Sequence, residues 1–171
     1  YLEFGVWEGY SIIHLANKFN NPDHKFYGFD SFQGLPESWD TLSGVINTGH
    51  FSTKGNTPQI DDSRVEFIQG WFQNSVDSFI TQLTLDKPRL VVHYDADLYS
   101  STLYCLMQVD RLKTQYLAFF DEIPGHETRA LYNYMQATGA HLRFLGRVGP
   151  SKNYPSQVAA IISPCTEYVV T

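Results

Sequence analysis

Tyr1-Leu2-Glu3-Phe4-Gly5-Val6-Trp7-Glu8-Gly9-Tyr10-Ser11 opens as a short apolar strand, breaks at Gly5 and turns into a helix, Ile12 to Phe19. A strand that gives way to a helix across glycines leaves backbone N–H groups unpaired and gathered at one crevice. That is the plan of a nucleotide-type ligand site, and Glu3 and Glu8 place two carboxylates beside it. Outward from the turn, Lys25-Phe26-Tyr27-Gly28-Phe29-Asp30 is a second strand ending on an acid 21 positions after Gly9. Arg64 to Ile68 alternates like a strand and stops at Gly70. Asn74 is the expected N-cap of a helix that buries Val76, Phe79, Ile80 and Leu83 on one stripe.

Arg89 to Tyr94 is a strand ending at Asp95, followed by a helix near residues 99–111 with Leu103, Leu106 and Met107 inward. Tyr116 to Phe120 is a strand ending at Asp121-Glu122; Ala130, Leu131, Tyr134 and Met135 mark a further helix, closed by Gly139. The tail reads as two strands, His141 to Val148 and Ser156 to Ser163, joined by a loop over 149–155. Five strands alternating with helices predict a parallel α/β sheet, and the closing pair predicts an antiparallel addition at one edge.

A chain of 171 residues suits one domain, 1–171. Twelve basic residues stand against 18 acidic ones, a net charge of -6 with no Lys/Arg cluster, which speaks against a nucleic-acid partner. No apolar run approaches the roughly 20 residues of a membrane span. No signal peptide is visible, and a start without Met inside a strand leads us to expect an N-terminal extension upstream. Cys105 and Cys165 make no disulfide framework or metal-ligand spacing; Cys105 reads as core, and a cytoplasmic location is expected. Residues 31–63 are rich in Gly, Ser, Thr, Asn, Asp and Pro, with aromatics at Phe32, Trp39 and Phe51, and read as a lid-like insertion.

In an open α/β sheet, ligands bind beyond the carboxyl ends of the strands. Acids fall there at four strands: Glu3, Asp30, Asp95 with Asp97, and Asp121 with Glu122. Any one of them reads as a helix cap or turn residue, but four strand ends of one sheet converge on one crevice. An acid about 20 residues beyond a glycine turn suits ribose hydroxyls, those of NAD included. The turn discriminates. A dinucleotide normally lies behind G-x-G-x-x-G, whereas here the spacing is Gly5-x-x-x-Gly9. The carboxylates of Glu3 and Glu8 would repel a pyrophosphate and attract an ammonium and a sulfonium. S-adenosylmethionine carries both and no phosphate; an NAD-type oxidoreductase is the alternative.

The motifs also resemble a known family, the class I S-adenosylmethionine-dependent methyltransferases, and within it the macrocin O-methyltransferase (TylF-like) group. The similar stretches run from Glu3 to Ser11, from Gly28 through Asp30-Ser31-Phe32-Gln33-Gly34-Leu35-Pro36 to Glu37, and from Val65 to Phe72. They continue in Asp95-Ala96-Asp97-Leu98-Tyr99-Ser100-Ser101-Thr102, in Phe120-Asp121-Glu122 and in Gln157 to Ile161. The resemblance implies a Rossmann-like three-layer sandwich whose seven-stranded, mostly parallel sheet has its last strand antiparallel. It implies the Gly5–Gly9 turn against the methionine part of the cofactor, Glu3 near its amino group, and Asp30 on the ribose. Ser31 and Phe32 would lie near the adenine, as would Gly70 and Trp71, although Trp71 also reads as core packing. Ser11 is a further cofactor contact or a helix cap, and Asp95 lies beside the cofactor.

In metal-using relatives the matching acids bind a divalent ion, which maps Mg²⁺ onto Asp95, Asp121 and Glu122; relatives commonly carry Asp or Asn where this chain has Glu122. Three carboxylates with water suit a hard cation. Methyl transfer asks the protein to align donor and acceptor and exclude water, and a hydroxyl acceptor must lose its proton. Asp95, Asp97 and His93 are candidate catalytic residues, with His50 a lesser one. His93 also reads as a core histidine and His50 as an exposed loop residue. The expected partner is a small-molecule hydroxyl acceptor of sugar or natural-product type. Upstream helices of the resembling family contribute to a homodimer. A methyltransferase-like domain that binds without catalysis is the alternative from another class.

Overall fold

β1 (Leu2–Phe4) is the axis of the sheet, with all three of its residues buried. The structure, a computed structural model, describes residues 1–41, 43–85, 89–123, 125–149 and 156–166. Around β1 lie β2 (Phe26–Asp30), β5 (Val65–Gln69), β6 (Leu90–Tyr94), β7 (Tyr116–Phe120), β8 (His141–Val148) and β9 (Gln157–Ser163). Their order is β5-β2-β1-β6-β7-β9-β8. The first five are parallel, whereas β9 runs antiparallel to both β7 and β8. The predicted sheet and its antiparallel edge are present, and β9 inserts between β7 and β8. The loop expected over 149–155 lies, beyond Gly149, outside the described residues. β8 is left as the edge strand, with Phe144, Leu145 and Val148 exposed. A separate hairpin, β3 (Trp39–Thr41) and β4 (Gly44–Ile46), stands within the 31–63 insertion.

The two faces of the sheet carry different loads. On one, Phe4, Val92, Tyr94, Ala118 and Phe120 pack against α2 (Phe72–Gln82), α3 (Tyr99–Asp110) and α4 (His126–Thr138). Tyr94 stacks on Phe120 with ring centroids 4.9 Å apart, and Phe4 lies within 5.8 Å of Phe29, Phe72 and Tyr94. On the other face, α1 (Tyr10–Lys18) buries Ile12 and Ala16 over Val6, Phe26 and Phe32.

Two local expectations differ. Asn74 is inside α2 rather than capping it, and Trp71 holds the N-cap position with no side-chain bond. The helix starts at once because the Trp71 carbonyl accepts the N–H groups of both Asn74 and Ser75. Met107 is 42% exposed, because the buried stripe of α3 is Thr102, Cys105, Leu106 and Val109, with Leu103 only half-buried beside it. Gly139 ends α4 at φ 71, the left-handed cap that glycine accepts without strain.

The turn after β1 is set by backbone contact. Gly5 has φ +93, and a Cβ there would lie 1.8 Å from the Asp95 carbonyl oxygen. Its N–H donates to Phe29 O at 3.0 Å, while the Asp95 N–H donates to Phe4 O at 2.9 Å, so the ends of β1, β2 and β6 are tied together. Gly5→Ala is therefore expected to lower the unfolding free energy by about 3 kcal/mol, from positive-φ strain and the clash together. An unchanged urea midpoint would contradict it.

Candidate active site

A cleft of about 320 Å³ opens at the carboxyl ends of the parallel strands. Gly5, Val6 and Trp7 line it after β1, Asp30 and Ser31 after β2, and Gly70 and Trp71 after β5. Asp95 and Asp97 follow β6, and Asp121 and Glu122 follow β7. The insertion supplies a wall through Leu35, Trp39 and Phe51. It is docked there: Leu35 and Trp39 bury against Leu98, Phe51 meets the Trp7 ring at 5.4 Å, and Ser100 Oγ donates to Glu37 Oε1 at 2.8 Å. Pro58 sits so close over Gly9 that a Cβ there would lie 2.9 Å from its ring.

The structure redistributes the acids and aromatics that the sequence places at the ligand. Asp30 Oδ2 accepts the N–H groups of Val6 and Trp7, both at 2.8 Å, and Oδ1 accepts that of Phe32 at 2.7 Å. The N–H groups expected to lie open are thus partly held by this carboxylate. Phe32 is fully buried among Val6, Ile12 and Phe26, under the sheet and not in the cleft. Trp71, 37% exposed, lines the cleft instead of packing in the core. Gly9, at φ 79, is the N-cap of α1, so Ser11 is inside the helix and not its cap. Neither Gly9 nor Ser11 lines the cleft.

Glu8 is exposed and outside the cleft. Glu3 is 0% exposed and outside it too, sealed below the turn. Its Oε1 accepts the Ser11 hydroxyl at 2.7 Å and its Oε2 the Tyr1 hydroxyl at 2.5 Å. The negative lining of the cleft therefore comes from Asp30, Asp95, Asp97, Asp121 and Glu122.

Among the described residues, His93, Asp95 and Asp121 each offer one ligand atom within 4.8 Å of the others. Glu122, expected as the third metal ligand, lines the cleft but stands outside that triplet, and His93 takes its place. Asp97 has φ 58, and across it Leu98 N–H donates to Ala96 O at 2.5 Å, a strained three-residue turn of the kind stored at functional sites. His50 is exposed with its ring against Phe51, and it does not line the cleft.

One acid escaped the sequence reading. Glu127, in the first turn of α4, is 0% exposed; its Oε2 accepts the Glu122 N–H at 3.1 Å and its Oε1 has no hydrogen-bond partner. Nothing in the sequence separates it from an ordinary acid placed to complement a helix N-terminus.

The family model described as "Macrocin-O-methyltransferase (TylF)" matches residues 1–127. The chain belongs to the macrocin O-methyltransferase family. It is an S-adenosylmethionine-dependent O-methyltransferase, and the oxidoreductase and binding-domain alternatives find no support. Among solved structures, the calicheamicin methyltransferase CalS11 is 20% identical with a TM-score of 0.63, over 92% of this chain and 70% of its own. A second CalS11 structure, described as an apo TDP-rhamnose 3'-O-methyltransferase, gives 18% identity and a TM-score of 0.55 over the same shares. TomG from Streptomyces achromogenes, in complex with S-adenosylmethionine, is 14% identical with a TM-score of 0.53, over 95% of this chain and 72% of its own. Those TM-scores show a shared fold. A search of curated proteins found no match. No described helix is long and apolar enough to cross a membrane.

In this methyltransferase the crowded carboxylates act on one another. Burial, then Asp121, pushes Asp95 up to about 8; burial, then Glu122 and Asp121, pushes Asp97 up to about 7. Burial alone would hold His93 down, but Asp121 and Glu3 together carry it up to about 10. Burial pushes Glu127 well above the usual carboxylate range. His93 holds Asp121 below that range.

Folded-state values raised above the unfolded 3.8 mean that Asp95 and Asp97 stabilise fully below about pH 4 and lose that contribution as pH rises through 7 and 8. His93 has the same sign, from its unfolded 6.5 to about 10, and the opposite effect of Asp121 falls below pH 3.8. The stability of the ligand-free protein is expected to fall between about pH 4 and pH 8. Glu127→Gln, which keeps the shape without an ionisable group, should reduce the slope. Urea midpoints across that range check both, and a rising profile would contradict them.

Proposed function

We propose that the cleft binds S-adenosylmethionine against Gly5, Asp30, Ser31 and Trp71 and methylates a hydroxyl of a small molecule, with Asp97 as the general base. The observation that carries this is Asp97 itself: a cleft-lining carboxyl held in a strained turn and poised at about 7, where a base can both take and release a proton. His93 and Asp95 are weaker as bases. His93 is outside the lining with both ring nitrogens facing carboxylates, and Asp95 is held neutral further up.

For the donor, Gly5 lines the cleft at the turn, where its missing side chain lets the Asp95 carbonyl close against the backbone. Asp30 Oδ1 has accepted one N–H and keeps a lone pair for a ribose hydroxyl. Ser31 and Trp71 offer a polar edge and an indole face to the adenine. Bound there, S-adenosylmethionine would supply an electrophilic methyl group with a neutral thioether as its leaving group, and Asp97 would take the proton of the acceptor hydroxyl. The docked insertion keeps water from that site.

The residues fit a divalent cation. Asp95 and Asp121 face each other closely enough to push Asp95 up, and hard oxygen donors suit Mg²⁺, with Glu122 at the margin. When bound, the ion would supply positive charge that lowers the pKa of the acceptor hydroxyl. A sugar or natural-product hydroxyl is the favoured acceptor, since CalS11, of similar fold, is described as a TDP-rhamnose 3'-O-methyltransferase.

Calorimetry is expected to show S-adenosylhomocysteine binding and no competing NAD binding; tight NAD binding alone would overturn the assignment. Against a panel of hydroxylated acceptors, Asp97→Asn should cut S-adenosylhomocysteine release by about 10²-fold or more, with donor affinity within about threefold of wild type. Mg²⁺ should give heat with wild type and less with Asp121→Ala, and should flatten the fall of stability with pH. Equal heats in the two proteins would remove the metal from the scheme.

A further inference from the structure

We propose that Glu127, buried in α4, is a positioning residue that holds the main chain at Glu122 and thereby turns the Glu122 side chain into the cleft. Its bearing on methyl transfer rests on the reading of that cleft as the donor and acceptor site. Along β7, Tyr116, Ala118 and Phe120 are buried in the core beneath the helices, while Phe119 is exposed on the other face. Continued for two more residues, this alternation would send Glu122 to the helix side, beneath α4. Yet Asp121 and Glu122 both line the cleft. The chain therefore leaves the extended form at Glu122, and a partner has to hold it there.

Three consecutive N–H groups identify the partner. Asp121 N–H donates to Tyr94 O at 3.1 Å, continuing the ladder to β6, and Ile123 N–H donates to Ser156 O at 2.9 Å, just ahead of β9. Between them, Glu122 N–H donates to a side chain, Glu127 Oε2, at 3.1 Å. The carboxyl thus stands in for a strand bond at the point where the strand turns.

An acid placed near a helix N-terminus for its charge alone faces water or bonds the helix's own N–H groups. Glu127 is fully buried, the N-cap of α4 is Gly125 with no side-chain bond, and the bond of Glu127 runs five residues back across the turn. Its Oε1 has no hydrogen-bond partner. Burying a carboxyl with one oxygen unpaired costs free energy. An apolar side chain of similar size would avoid that cost but could not accept the Glu122 N–H. Glu122 in turn is the first charge, after burial, that acts on Asp97. Where its carboxylate stands therefore shapes the field on the acceptor side of the cleft.

The test compares wild type with three variants. Glu127→Gln keeps an acceptor oxygen, Glu127→Met keeps the bulk without one, and Glu127→Asp keeps the charge on a shorter arm. The first readout is the backbone amide and side-chain carboxyl resonances of Glu122, assigned with Glu122→Gln, together with hydrogen exchange at that amide. Glu127→Met and Glu127→Asp are expected to move both resonances and to speed exchange at the Glu122 amide by about tenfold or more, while Glu127→Gln stays with wild type. S-adenosylhomocysteine affinity by calorimetry should remain within about threefold of wild type in all three. With an acceptor from the hydroxyl panel that wild type methylates, Glu127→Met should lower kcat/KM by about tenfold or more, and Glu127→Gln should restore it. If Glu127→Met does not fold, Glu127→Asp carries the same comparison.

Glu122 signals unmoved in Glu127→Met and Glu127→Asp would leave Glu127 a purely structural acid and overturn the proposal. A Glu127→Gln that behaves as Glu127→Met does would overturn it too, as would moved signals with turnover unchanged. A loss of about tenfold or more in donor affinity would carry the effect to the donor half and likewise overturn it. Failure of wild type to bind S-adenosylhomocysteine would instead strike the donor assignment. The resonances and the exchange need no donor, so the two failures are distinguishable.

Discussion

The carbonyl of Asp95 occupies the place where a side chain at residue 5 would be. That approach of two backbones decides the rest. It demands glycine with a positive φ, ends β1 abruptly, and lets Gly5 and Asp95 extend the ladder by one bond each toward β2 and β6. The three strand ends are thereby fixed at one level, and the acids that follow β2 and β6 emerge beside one another. Asp30 then folds its carboxylate under the turn and holds the N–H groups of Val6 and Trp7. The floor of the cleft is backbone pinned by backbone, and the variable chemistry stands around its rim.

That rim is electrostatically expensive. Asp95, Asp97, Asp121 and Glu122 share a small volume, and each raises the cost of ionising a neighbour. His93 opposes them from below, while buried Glu127 adds to the crowding from α4. A fold tolerates such a cluster when packing elsewhere over-determines it. The opposite face of the sheet does so with Phe4, Tyr94 and Phe120, large rings buried in contact with three helices. The apolar face stabilises; the acidic end is where that stability is drawn down.

What was legible in the sequence was local. β2, β5, β6 and β7 announced themselves by apolar runs ending on glycine or acid, and Gly139 marked a helix end that it does cap. The antiparallel edge followed from two strands joined by few residues, but no local signal shows β9 entering between β7 and β8. Four strand ends carry acids, and those after β2, β6 and β7 line the cleft; which of them face it depends on covering groups far away in the chain. Glu3 is hidden by Tyr1 and Ser11, Phe32 by α1, and Met107 is turned outward because α3 buries the adjacent stripe. Glu127 was invisible for the same reason: a first-turn acid looks alike whether the helix end faces water or a neighbour.

The insertion of β9 has a consequence for how the chain is made. Among the described residues β8 pairs with β9 alone, and β9 comes after it in the chain. During synthesis β8 leaves the ribosome before its partner exists, carrying Phe144, Leu145 and Val148 in the open. The five parallel strands have all been made by then and can assemble without it. For that interval β7 also presents a bare edge, the natural template for a passing strand. Chaperone demand and nascent-chain aggregation should therefore concentrate in the moments before residue 163 emerges, set by the order of translation and not by the stability of the finished sheet.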